Sequence, residues 1–106
     1  MVEQPTISTH VLDTEHGRPA AGVPVRLYRV EAADEIPISA GVTDDEGRIR
    51  SLLDGPLASG EYRLEFSVGG HFFARVSVTF RVDDTSRSYH VPLLLAPYSM
   101  TTYRGS

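Results

Sequence analysis

Histidine and arginine are the residue types in this chain best suited to work on a carbonyl group, and His10, Arg48, Arg50 and His90 fall inside patterned stretches that could hold them. Histidine changes charge near neutral pH, so His10 or His90 could take or give a proton without extreme tuning. His10 lies mid-run, on the face opposite Val11, and His90 follows Tyr89 in the closing stretch. A histidine on the outer face of a strand is more often a solvated polar residue than a catalyst. The pair gains weight only if their two strands are neighbours, and spacing does not decide that. His16 lies in a turn and His71 beside Gly70, where solvation accounts for both.

Arg48 and Arg50 follow the turn residues Asp44, Asp45, Glu46 and Gly47, and alternation puts them on one face. Two readings stand side by side. Charges on a short edge strand discourage unwanted pairing. A guanidinium can also hold a planar, carbonyl-rich ligand or a developing oxyanion. The chain has no GxSxG, no cysteine nucleophile, no HExxH and no glycine-rich phosphate loop. His10 and His90 lack a third ligand at convincing spacing, so no metal site is expected.

Elements with a two-residue period must position these groups. Ile7 to Asp13 puts Ile7, Thr9 and Val11 on one face and Ser8, His10 and Leu12 on the other. His16 to Ala20 breaks the run with turn formers. Val23 to Tyr28 reads as a half-buried strand, Ala32 to Ile36 as a charged connection and Ser39 to Thr43 as a short strand. Tyr62 to Ser67 and Arg75 to Val82 alternate most clearly. Ser88 to Ser106 supplies two more strands around Ala96 and Pro97, and stays rich in strand formers almost to its end, as an anchored terminus does. About eight short strands at hairpin spacing predict an all-β sandwich.

The totals narrow the classes. At 106 residues the chain is expected to form a single domain, 1–106, with a core of its own. With no cysteine there is no disulfide framework. A net charge of −4 argues against nucleic acid or an anionic membrane as partner. The start MVEQPTIST has neither a basic patch nor an apolar run, so no signal peptide is expected and the cytoplasm is the default location.

Three separated motifs, STHVLDTEHGRPAAGVPVRLYR, DDEGRIRSLL with GEYRLEF, and YHVPLLLAPYSMTTYRGS, resemble the 5-hydroxyisourate hydrolases, the transthyretin-related enzymes of urate breakdown. The resemblance covers nearly the whole chain, and its most specific piece is the terminal YRGS, which separates the enzymes from the hormone carrier transthyretin. It implies a transthyretin-like two-sheet β-sandwich and a homotetramer, a dimer of dimers with sites in the channel where dimers meet. The implied reaction opens the ring of 5-hydroxyisourate at a cyclic amide, yielding 2-oxo-4-hydroxy-4-carboxy-5-ureidoimidazoline, without metal or organic cofactor.

Carried over residue by residue, the resemblance makes His10, Arg48 (rather than Arg50), His90 and Ser106 the catalytic group. His10, Arg48, Tyr103, Arg104 and Gly105 would contact substrate. The chain departs from the family at Val68 to Arg75, where VGGHFFAR replaces a longer segment with a short helix, which leaves helix content at that edge open. Two other functions fit a sandwich. A transthyretin-type carrier would hold a small hydrophobic ligand in the channel, which His10, Arg48, His90 and YRGS make too polar. A structural accessory domain gives no reason for the ordered C-terminal end.

Overall fold

Alternating apolar residues become the inner faces of two sheets. The computed structural model describes residues 4–106 and places nine strands in them: β1 (Ile7–Asp13), β2 (Arg18–Pro19), β3 (Pro24–Glu31), β4 (Asp34–Val42), β5 (Arg48–Ile49), β6 (Gly60–Ser67), β7 (Arg75–Val82), β8 (Tyr89–Leu95) and β9 (Met100–Thr102). One sheet runs β2-β1-β8-β9 with β5 also on β1, and the other β4-β3-β6-β7. Ile7, Val11, Val25, Leu27, Leu64, Phe66 and Leu93 meet between them with no exposed surface. At about 1.5–3 kcal/mol per buried aliphatic or aromatic side chain, this layer is the main source of stability. Thr9, also in the core, satisfies its hydroxyl by donating to the Val91 carbonyl at 2.7 Å.

The all-β sandwich stands, with three local corrections. Arg18–Pro19, read as turn, pairs with Leu12 and Asp13 as the short strand β2. Asp34 to Ile36, read as connection, belongs to β4, which pairs with β3 from Glu31↔Asp34 onward and leaves only Ala32 and Ala33 to turn. Polarity misleads there because β4 is an edge strand, where charge is tolerated, and Glu35 bonds Arg63 at 2.8 Å. Arg50 falls outside β5: it is exposed, with its guanidinium 3.4 Å from Glu46, whereas Arg48 is half-buried. Only Arg48 is therefore placed by the strand.

Val68 to Ala74 forms a compact loop closed by the Val68 and Gly69 N–H groups on the Ala74 carbonyl, and no helix occurs among the described residues. None is therefore long and apolar enough to cross a membrane.

Candidate active site

Strand β1 carries the site, with β5 on one side and β8 on the other. β1 and β8 run parallel with Ser8↔His90 and His10↔Pro92 as partners, while His10 faces Arg48 across the antiparallel β1–β5 pair. Residues directly opposite one another share a face, so Ser8, His10, Arg48 and His90 project from the same outer surface. All four are half-buried. His10 lies two residues, about 7 Å, along β1 from Ser8.

The turn before β5 is built to aim Arg48. The Asp44 carboxylate accepts the N–H groups of Glu46 and Arg48, both at 2.9 Å, and the Gly47 N–H bonds the Asp44 carbonyl at 2.8 Å. The Arg48 N–H, first of all, holds the Asp44 carboxyl below the usual carboxylate range. The same turn presents the Glu46 carbonyl to His10 Nε2 at 2.7 Å. A carbonyl only accepts, so Nε2 carries the proton and neutral His10 keeps its basic lone pair on Nδ1.

His90 has a different environment. Its Nδ1 is 2.9 Å from the Ser8 hydroxyl. Burial pushes its imidazole below the ordinary histidine value of 6.5, and the Arg48 guanidinium and His10 push it the same way. Neutral His90 is thus the resting form at neutral pH. The unfolded chain binds more protons between the two values, so this contribution to stability is complete above pH 6.5 and is lost as pH falls through the folded value. Arg48→Gln removes one cause and leaves burial. In a proton NMR titration the His90 value is expected to rise toward 6.5, and a value that does not move would show that the guanidinium does not act on this ring.

The C-terminal tail closes the far side of His90. Thr102 donates its hydroxyl to the Pro92 carbonyl at 2.8 Å, and the Gly105 N–H donates to the His90 carbonyl at 2.7 Å. Arg104 sets its guanidinium 4.3 Å from the centre of the Tyr89 ring, pinning the tail over β8. A Cβ at Gly105 would lie 2.6 Å from His90 Cδ2 and 3.3 Å from Pro92 Cγ. The nearest obstacle is a side chain that can rotate, so Gly105→Ala is expected to leave the urea midpoint near wild type. Displacing the ring is expected to lower kcat about ten- to a hundredfold, and unchanged turnover would sever Gly105 from the site.

The structure thus brings His10, Arg48, His90 and Gly105 together, and gives Arg104 a role in anchoring the tail. Tyr103 is 54% exposed, and the Ser106 hydroxyl bonds only the neighbouring Gly105 carbonyl, at 2.8 Å, among the described residues. Sequence reasoning missed Ser8, although it shares the outer face of β1 with His10, and missed the Glu46 carbonyl, which no side-chain motif can signal. Asp13, Glu15 and His16 are the group among the described residues whose ligand atoms could meet on a cation; the 2.8 Å Asp13–His16 bond explains their closeness as a turn contact. A cleft of about 630 Å³, lined by Asp13, Ala20, His71 and Tyr98 among others, includes neither His10 nor His90.

Comparison with known proteins gives this surface a context. The chain is 42% identical to the 5-hydroxyisourate hydrolase of Deinococcus radiodurans over the full length of both chains. Its fold matches that of Klebsiella pneumoniae 5-hydroxyisourate hydrolase with a TM-score of 0.84 at 36% identity, over 95% of this chain and 99% of the other. Sea bream transthyretin in complex with thyroxine matches with a TM-score of 0.85 at 29% identity, over 92% of each chain. The backbone therefore does not separate transthyretin from hydrolase, whereas identity leans to the hydrolases. The family model described as HIUase/Transthyretin matches residues 7–105, and with a full-length relative at this identity the chain belongs to the HIUase/Transthyretin family.

Proposed function

We propose that this chain is a hydrolase that opens the ring of 5-hydroxyisourate at a cyclic amide, yielding 2-oxo-4-hydroxy-4-carboxy-5-ureidoimidazoline. The observation that supports it most directly is the gathering of His10, Arg48 and His90 on one sheet face, in a chain whose full-length relative is a 5-hydroxyisourate hydrolase. A carrier of an apolar ligand gains little from two imidazoles and a guanidinium there, since each is costly to desolvate.

Each chemical demand of amide hydrolysis has a candidate in this arrangement. Water gives a proton to His10 Nδ1 as its oxygen attacks the carbonyl carbon. The Glu46 carbonyl, bonded to Nε2–H, holds the ring in place as the proton arrives on Nδ1. The former carbonyl oxygen becomes an oxyanion held by the Arg48 guanidinium. When the ring C–N bond breaks, the nitrogen leaves with the proton returned by His10. Neutral His90 serves as second base or orients the water. Tyr103 offers its ring to the planar substrate, Arg104 and Gly105 contribute binding contacts, and Ser106 lends a hydroxyl. Hydrolysis of an electrophilic ring transfers neither electrons nor a carried group, so the reading needs no cofactor.

The reading includes a single domain working as a homotetramer in the cytoplasm. In one chain the site is an open sheet face, with Tyr103 and Ser106 turned to solvent, and a second copy across it would make an enclosed channel. The test generates 5-hydroxyisourate from urate with a urate oxidase and follows its ultraviolet decay with and without the protein. Faster decay supports the function, and decay at the spontaneous rate overturns it. Sedimentation at assay concentration checks the assembly, since a fully active monomer would rule out the channel.

A further inference from the structure

Ser8 opens the first of the sequence motifs, yet neither the resemblance nor the proposed chemistry gives it a role. It stands opposite His90 in the β1–β8 register, and its hydroxyl lies 2.9 Å from His90 Nδ1. The ring is confined from a second direction by the tail, since Gly105 leaves no room for even a methyl group beside Cδ2. A histidine held at one nitrogen has its ring rotation set by that bond and works through the other nitrogen; a hydroxyl donates or accepts, so the bond at Nδ1 is kept in either tautomer. Ser8 holds Nδ1, and no hydrogen bond reaches Nε2 among the described residues. His10 is held the opposite way, by Nε2, with Nδ1 available. The two imidazoles are therefore held by opposite ring nitrogens.

We propose that Ser8 is a positioning residue for the hydrolysis, its hydroxyl holding His90 by Nδ1 so that His90 meets water or substrate through Nε2. This rests on the hydrolase reading above, but the contact itself can be tested without substrate. The half-buried position makes removal of the hydroxyl mild for folding, and on a strand threonine can keep a hydroxyl there with a favoured backbone.

Two-bond proton–nitrogen NMR correlations distinguish Nδ1 from Nε2 in each imidazole of the substrate-free protein. Ser8→Ala is expected to move the His90 Nδ1 shift away from its wild-type position, because its hydrogen-bond partner is gone, while Ser8→Thr keeps the wild-type pattern. In the hydroxyisourate assay Ser8→Ala is expected to lower kcat at least about tenfold with KM within about twofold, and Ser8→Thr to recover most of the loss. His90 shifts unmoved by Ser8→Ala would overturn the contact. Moved shifts with unchanged kcat would overturn the positioning role. A wild-type chain that does not hasten decay would overturn the hydrolase reading and with it Ser8's part in catalysis, while the nitrogen shifts still report whether the contact exists.

Discussion

His10→Ala is expected to lower kcat for 5-hydroxyisourate about a hundred- to ten-thousandfold, the range that a positioned acid–base group supplies, with the urea midpoint close to that of the wild type. The fold should survive because His10 contributes little to the core: its β1 neighbours Thr9 and Val11 face inward, and its side chain bonds the carbonyl of exposed Glu46, which water can satisfy. Turnover should not survive, because Nδ1 is the basic nitrogen that the Glu46 bond leaves free. KM distinguishes the two ways of being wrong. A raised KM with intact kcat would make His10 a binding residue, and full activity would remove it from the site. His16→Ala is the control, since that exposed histidine bonds Asp13 in a turn, and it is expected to leave kcat unchanged.

The sandwich was legible because burial has a local signature. Ile7, Thr9 and Val11 alternate with Ser8, His10 and Leu12, and the structure buries the first set fully. The same signature failed at Asp34 to Ile36, where an edge strand is wet on its open side and need not look apolar. It failed also at Arg18–Pro19, too short to show a period. The site was legible in residue types but not in arrangement. Pairing β1 with β8 joins segments about eighty residues apart, and a parallel pair leaves no hairpin turn to announce it. Alternation assigned Arg48 and Arg50 one face, and only the end of β5 separates them. The choice of Arg48 came from resemblance to relatives, and the physical ground for it, the Asp44 carboxylate capping its N–H, appears only in three dimensions.

Gly47→Ala is the substitution expected to cost most stability for the smallest change of atoms, and it should take the site with it. Gly47 has φ of 77°, which costs a residue with a side chain about 1–2 kcal/mol. Gly22 has the same φ, and a Cβ there would meet nothing within 4 Å, so Gly22→Ala measures that backbone cost alone. At Gly47 a Cβ would overlap the Val11 carbonyl oxygen and lie 3.2 Å from Ala20 N, driving into the 2.9 Å hydrogen bond between those two groups. Unlike the imidazole beside Gly105, these are backbone atoms of β1 and its following segment, and they cannot rotate aside. The Gly47 loop must move instead, with the Glu46 carbonyl that holds His10 and the N–H of Arg48 that Asp44 caps. Gly47→Ala is therefore expected to destabilise the protein by at least about 2 kcal/mol in urea unfolding, clearly more than Gly22→Ala. Its kcat should also fall under conditions where it remains folded, whereas Gly22→Ala keeps full turnover. Equal destabilisation by the two variants, with equal activity, would mean that the turn yields freely and that its contact with β1 does not place Arg48.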